Sequence, residues 1–111
     1  METYNFPDSL KGDTFDGMEF EILINSVAKN LTNTIIKIMF RRETKTETIK
    51  KTIVSGSGIT KTDAVNGIFE IDTFTVDFPA GTYWYDIQFN DSGVINTYVG
   101  GYWNIIQDVT T

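Results

Sequence analysis

Residues 79–90 constrain the fold of this chain more than any other segment. The segment begins with Pro79, Ala80 and Gly81, which favour a turn because proline presets one backbone angle and glycine accepts a positive φ. Side chains then alternate, and one face carries four large apolar groups, which are Tyr83, Tyr85, Ile87 and Phe89. A period of two predicts a strand with one buried face. A second layer must therefore cover this row of side chains.

Tyr83 stands just after the turn and two residues before a core position, which is the spacing of the tyrosine corner in immunoglobulin-like sandwiches. In that corner the tyrosine hydroxyl donates a hydrogen bond to backbone a few residues upstream. We therefore expect Tyr83 to form the corner and Tyr85 to lie in the core.

The rest of the chain shows short apolar alternations separated by turn residues at intervals of about ten residues. We expect further strands at residues 14–24, 34–42, 48–54, 59–62, 68–72, 74–78, 94–100 and 102–109. This pattern predicts an all-β protein, specifically a single-domain, immunoglobulin-like antiparallel β-sandwich of seven to nine strands.

We expect an N-terminal extended arm at residues 1–16, followed by the β-sandwich domain at residues 17–111. The alternation of Tyr4 and Phe6 indicates that the arm adds to a sheet edge and stops at Pro7. Residues 25–33 are expected to be a loop with a helical turn at residues 26–29. The lysines of residues 48–54 indicate an edge strand, because lysine discourages edge-to-edge pairing.

The 111 residues include no cysteine and no histidine. This excludes disulfides, thiolate zinc sites and a Ser-His-Asp relay, and it removes the usual general base at neutral pH. The apolar runs are too short to span a bilayer, and residues 1–4 do not resemble the start of a signal peptide. We expect no membrane partner.

The formal net charge of −6 makes nucleic acid an improbable partner. The charges are also unevenly distributed, since residues 37–61 carry seven basic and two acidic groups, whereas residues 62–111 carry seven acidic groups and no basic one. The basic segment is an ordinary solvated hairpin or the electrostatic half of an interface that orients neighbouring copies. For the second hypothesis, the interface residues are Arg41, Arg42, Lys45, Lys50 and Lys51.

Aromatic side chains outside the core face are the other interface candidates. If Tyr83 and Tyr85 point inward, Trp84 points outward, and one of Tyr102 and Trp103 must do the same. Exposed Trp and Tyr anchor protein interfaces and sugar-binding platforms. The alternative is that the arm or a loop covers Trp84.

The sequence predicts no catalytic residue, no cofactor and no metal. The residue types present leave two alternatives open, a glycosidase and a calcium site. A glycosidase needs only two carboxylates beside a cleft, and the loops at residues 12–16 and 90–93 offer oxygens that suit calcium. Both loops also have the composition of ordinary turns.

Four stretches in order resemble the small immunoglobulin-like N-terminal domain of phage baseplate upper proteins and related tailed-phage structural proteins. These stretches are Gly-Asp-Thr-Phe at residues 12–15, Leu-Thr-Asn-Thr-Ile-Ile-Lys-Ile at residues 31–38 continuing to Arg41, Gly-Thr-Tyr-Trp-Tyr-Asp-Ile-Gln at residues 81–88, and Thr-Tyr-Val-Gly-Gly at residues 97–101 leading to residues 108–110. The similarity spans nearly the whole chain.

The resemblance implies a non-enzymatic virion structural protein, either a tail or baseplate adaptor or a capsid decoration protein. Such a protein is made in the host cytoplasm and assembles with other virion proteins, as a homo-oligomer or a multi-copy array. The alternative from another class is a carbohydrate-binding β-sandwich module that uses the same aromatic residues.

Overall fold

The computed structural model describes residues 2–42 and 49–107 and shows an all-β chain. The side chains of Glu2, Ile49 and Lys50 are outside this description. One 3-10 turn, Ala64–Asn66, interrupts the strands. The strands are β1 (Glu2–Thr3), β2 (Ser9–Leu10), β3 (Thr14–Phe15), β4 (Met18–Glu21), β5 (Leu23–Ile24), β6 (Val27–Ala28), β7 (Thr34–Arg42), β8 (Ile49–Ser55), β9 (Gly58–Asp63), β10 (Ile68–Ile71), β11 (Phe74–Thr75), β12 (Gly81–Asp91) and β13 (Val94–Ile106).

Nine of these strands form one curled sheet with the order β1-β13-β12-β7-β8-β9-β10-β4, and β2 also pairs with β13. The pairs β3–β11 and β5–β6 are separate two-stranded sheets. Strand β12 is central, because it pairs with β13 on one side and with β7 on the other, in antiparallel register. The prediction of a single compact all-β domain is confirmed.

The apolar row of β12 lies in the core, as predicted. Tyr83, Tyr85, Ile87 and Phe89 are fully buried. Their cover consists of aromatic rings from other parts of the chain: Phe6 lies 4.2 Å from Tyr85, Phe78 lies 5.1 Å from Tyr83, and Phe69 lies 5.9 Å from Phe89, measured between ring centroids. The curled sheet and the N-terminal arm together supply the second layer.

The expected tyrosine corner is also present. The Tyr83 hydroxyl donates a hydrogen bond to the backbone oxygen of Pro79 over 2.7 Å. The bond ties the start of β12 to the turn before it. Burial raises the pKa of Tyr83 above its usual value.

The N-terminal arm adds to the edge of β13, as predicted. Tyr4 N–H donates to the carbonyl of Gly100 and Phe6 N–H donates to that of Tyr102, each over 2.9 Å. The series stops at Pro7, which has no N–H, and pairing resumes in β2, where Ser9 lies opposite Ile105. The arm therefore belongs to the sheet.

The strand directions differ from the antiparallel expectation in three places. Strands β1 and β2 run parallel to β13, and β8 pairs with β9 in parallel at two positions. Strands β1 and β2 are parallel to β13 because the arm runs along the open edge of β13 in the same direction. Local periodicity does not encode that direction. The parallel pairing of β8 and β9 arises from the tight turn between Val54 and Gly58.

Several predicted boundaries are also wrong. Residues 94–106 form one strand, because Gly101 allows the arm to approach closely and does not break the strand. Residues 14–24 are divided into three strands, with Gly17 at a positive φ of 92°. Residues 25–28 form the turn and second strand of the β5–β6 hairpin in place of the expected helical turn, because Asn25 and Ser26 adopt φ values of 52° and 65°. Positive φ at both central residues is typical of a type I′ hairpin.

The lysine-bearing strand is only partly at an edge. Strand β8 pairs with β7 along most of its length and with β9 only at Val54 and Ser55. The expected strand at residues 74–78 is limited to β11, which pairs with β3. Val76 and Phe78 are still buried, so the inward alternation is correct although the strand is shorter.

Candidate protein interface

The structure places only one of the three predicted interface aromatics at the surface. Tyr102 is 44% exposed, whereas Trp84 is 4% exposed and Trp103 is fully buried. The prediction that Trp84 is an exposed anchor is therefore wrong. Trp84 does lie on the outer face, but Arg41 and Tyr102 are its direct neighbours on β7 and β13, and the Tyr102 ring packs edge-on at 4.9 Å.

Trp103 is a core residue, which corrects its assignment to the interface. Its ring contacts those of Phe6, Phe15 and Phe40 at centroid distances of 5.5–5.6 Å. Its indole N–H donates a hydrogen bond to the Ser9 hydroxyl over 3.1 Å. This bond satisfies the polar atom that burial of a tryptophan would otherwise leave without a partner.

The described members of the basic segment make contacts within the fold. Arg42 donates a hydrogen bond from Nη2 to the backbone oxygen of Ala80 over 3.0 Å. Arg41 Nη1 lies 3.8 Å from Asp86 Oδ2, and Lys51 Nζ lies 5.0 Å from the centre of the Phe74 ring. Lys45 and the side chain of Lys50 lie outside the described residues. The role of these cations in an interface remains a prediction.

A second surface emerges at the other end of the long strands. We define the aliphatic end as the seven exposed residues Leu23, Ile24, Val27, Ile35, Val65, Val94 and Ile95. These residues belong to the β5–β6 hairpin, the start of β7, the 3-10 turn and the start of β13.

Backbone and side-chain bonds bring these segments together. Leu31 N–H donates to the carbonyl of Ala64 over 2.7 Å, which joins the segment before β7 to the 3-10 turn. Lys29 Nζ lies 2.9 Å from Asp91 Oδ2, which joins the segment after β6 to the end of β12. These bonds hold the segments that carry the seven residues next to one another at one end of the molecule.

Asp91, at the end of β12, is a half-buried carboxylate of this end. The hydroxyl of Thr34 donates to Asp91 Oδ1, and the ammonium of Lys29 donates to Oδ2. These hydrogen bonds, that of Thr34 first, lower the pKa of Asp91 below its ordinary value of 3.8. Lys29 and Asp91 neutralise each other, so this pair adds no net charge to the aliphatic end.

The lowered pKa of Asp91 predicts an acid-dependent loss of stability. Because the carboxylate is favoured in the folded state, its stabilisation is present above the unfolded pKa and is lost as the pH falls through the folded pKa. We expect the free energy of unfolding to decrease below a pH of about 4, as measured by urea denaturation. In Asp91→Asn this contribution should be absent, at a cost of about 1 kcal/mol or less at pH 7. Identical pH profiles for the two proteins would contradict the assignment.

The aliphatic end and the two arginines lie at opposite ends of β7. This strand begins at Thr34 beside Asp91 and ends at Arg42. Nine residues of antiparallel strand span roughly 30 Å, and the molecule measures 45 × 27 × 23 Å. The chain is thus an elongated block with chemically different ends.

Sequence reasoning missed the aliphatic end, although a signal was present. Val94 and Ile95 are adjacent in sequence, so a strand cannot place both side chains in one core. Here both are exposed, at 63% and 57%.

Metal-ligating side chains are not clustered in the part of the chain that the structure describes. In residues 2–42 and 49–107, no three acidic side chains are grouped closely enough to hold a metal ion. Asn90 Oδ1, one of the oxygens considered for calcium, accepts a hydrogen bond from Gly93 N–H over 2.7 Å and closes the turn. The same ranges contain no helix with the length and apolarity needed to cross a bilayer.

Comparison with known proteins gives no family. No model of a known protein family matches the chain, and a search of curated proteins finds no match.

Proposed function

We propose that this chain is a non-enzymatic structural protein of a tailed-phage virion, an immunoglobulin-like block that works by docking on neighbouring virion proteins in several copies. The observation that carries the proposal is the aliphatic end, where four neighbouring segments carry seven exposed aliphatic side chains. The motifs of residues 12–15, 31–41, 81–88 and 97–101 support the choice of virion. The tyrosine corner at Tyr83 supports the immunoglobulin-like class.

Exposing apolar surface to water is unfavourable. Burying apolar area is worth about 25 cal/mol per Å², and contiguous exposed apolar patches on soluble proteins mark interaction sites. Interface cores are depleted of charge and richer in apolar groups than their rims. The aliphatic end has this composition, with the neutralised pair of Lys29 and Asp91 at its border. It is suited to lateral or end-on contact with another protein.

The carbohydrate-binding alternative receives less support. A sugar platform requires exposed ring faces, and the burial of Trp84 and Trp103 leaves Tyr102 as the exposed ring of the three. A single tyrosine packed edge-on against Trp84 is a small platform. We therefore favour docking between proteins.

The proposal predicts that the chain sediments with phage particles and that the aliphatic end is required. We expect the double variant Val94→Asp/Ile95→Asp to remain folded, because both side chains are exposed, and to be depleted from purified particles at least tenfold, since burying two charges in an apolar contact is costly. The matched control is Thr52→Asp/Ile106→Asp, which adds the same charges at exposed positions of β8 and β13 that do not lie opposite each other. Quantitative mass spectrometry of gradient-purified particles measures how much of each variant is incorporated. Equal incorporation of the two variants, or no chain in wild-type particles, would contradict the proposal.

A further inference from the structure

The curled sheet does not close, and a groove of about 570 Å³ separates its two edges. One wall is β4, and the other includes Thr3, Tyr4 and Tyr98. The rings of Tyr4 and Phe20 meet edge-to-face across the groove, with centroids 6.1 Å apart. Among the described residues, β4 pairs only with β10, so its other edge faces this groove.

The hydrogen-bond register shows which backbone groups face the groove. Ile22 N–H donates to the Gly67 carbonyl, and hydrogen-bonded pairs alternate along an antiparallel ladder. Phe20 and Phe69 lie two positions further along the same ladder, so they are also a hydrogen-bonded pair. It follows that the N–H and C=O groups of Glu19 and Glu21 point away from β10, toward the groove.

The charged side chains that line this groove in the described part of the chain, Glu19 and Glu21, are both negative. Glu19 and Glu21 are exposed, and Glu70 of β10 lies directly opposite Glu19. Like charges at directly opposite positions are destabilising. Within residues 2–42 and 49–107, none of these three carboxylates forms an ion pair. A cation supplied from outside the chain would relieve the repulsion between Glu19 and Glu70.

We propose that the edge of β4 binds an extended segment of a partner protein in which lysine or arginine alternates with apolar residues. The segment adds as a strand, exchanging backbone hydrogen bonds with Glu19 and Glu21. Its basic side chains lie beside the two carboxylates, and its apolar side chains enter the groove over Phe20 and Tyr4. This site goes beyond the proposed function, because it is a strand edge separate from the contact made by Val94 and Ile95.

The alternating side chains of β4 determine this choice of occupant. Glu19 and Glu21 lie on the exposed face of the strand, whereas Phe20 contacts the rings of Tyr4 and Phe69. An added strand repeats the same alternation, because directly opposite residues share a face. A purely apolar segment would leave the carboxylates without partners, and an acidic one would be repelled.

The experiment uses the full chain and a blocked seven-residue peptide of alternating lysine and valine. We expect saturating peptide to slow amide hydrogen exchange of Glu19 and Glu21 at least tenfold, as measured by NMR. Two control peptides test the two parts of the proposal: one replaces lysine by glutamate, and the other carries N-methyl groups that remove alternate backbone donors. Neither control should slow exchange at these amides.

Variants of the chain test the role of charge. The double variant Glu19→Gln/Glu21→Gln should bind the lysine-valine peptide about tenfold more weakly, because two cross-strand charge pairs are lost. Fluorescence anisotropy measures the dissociation constant. The control Asp8→Asn/Asp77→Asn makes the same change in net charge at other exposed positions and should bind as the wild type does. Equal binding of either control peptide would overturn the proposal, as would unchanged exchange at Glu19 and Glu21. Protection of these amides by raised protein concentration alone would also overturn it, since a second copy would then be the occupant.

Discussion

Replacing Phe6 by alanine is expected to lower the free energy of unfolding by about 3–5 kcal/mol. The Phe6 side chain is 4% exposed and lies in the middle of the aromatic core. Its ring centroid is 4.2 Å from that of Tyr85 and 5.6 Å from that of Trp103. Truncation leaves a cavity that the surrounding rings cannot fill without leaving their rotamers.

Urea denaturation followed by tryptophan fluorescence measures this loss. The control is Leu10→Ala, which removes an aliphatic side chain from the same arm at a position that is 40% exposed. We expect the control to cost about 1 kcal/mol or less, because little apolar area is re-exposed. A loss below 1 kcal/mol for Phe6→Ala would show that the arm is an appendage and not part of the core.

Replacing Gly101 by alanine is expected to detach the arm and to cost about 3 kcal/mol, near the upper range for overpacking. A Cβ atom at this position would lie 2.2 Å from the carbonyl oxygen of Tyr4. The obstructing atom is backbone, so the arm itself must move. The hydrogen bond from the Tyr85 hydroxyl to the same oxygen would be lost with it.

Amide hydrogen exchange shows which part of the fold is disrupted by Gly101→Ala. The amides of Tyr4 and Phe6, which donate to carbonyls of β13, should lose protection in Gly101→Ala. The control Asn96→Ala lies at an exposed position of the same strand and should change stability by about 0.5 kcal/mol or less. Because Gly101→Ala already displaces the arm that carries Phe6, the double variant Phe6→Ala/Gly101→Ala should cost less than the sum of the two. Strictly additive losses of stability would contradict the displacement of the arm by Gly101→Ala.

The local part of the fold could be predicted from the sequence. The alternation after Gly81 correctly predicts the buried row of β12, and the position of Tyr83 after the turn predicts its bond to Pro79. Both features depend on residues a few positions apart. The bounds of β7 are predicted for the same reason, since its side chains alternate between two turn segments.

The parts that failed depend on distant contacts. Trp84 has the outward direction that its position predicts, but it is buried because Arg41 and Tyr102 come from two other strands. The parallel pairing of the arm with β13 depends on residues nearly a hundred positions apart. No periodicity within one segment carries that information.

The aliphatic end could not be predicted from the sequence for a different reason. Each of its exposed side chains is ordinary when taken alone, because single surface aliphatics are common. Their significance arises when the Lys29–Asp91 ion pair and the Leu31–Ala64 bond bring four segments together. A sequence can suggest that Val94 or Ile95 is exposed, but the shared surface requires the fold.

A cryo-electron-microscopy map of intact particles tests the central claim most directly. We predict many copies of this domain in the tail, baseplate or capsid surface, with Val94 and Ile95 buried against a neighbouring protein. Particles that contain the domain with its aliphatic end facing solvent, or that do not contain the domain, would contradict the account.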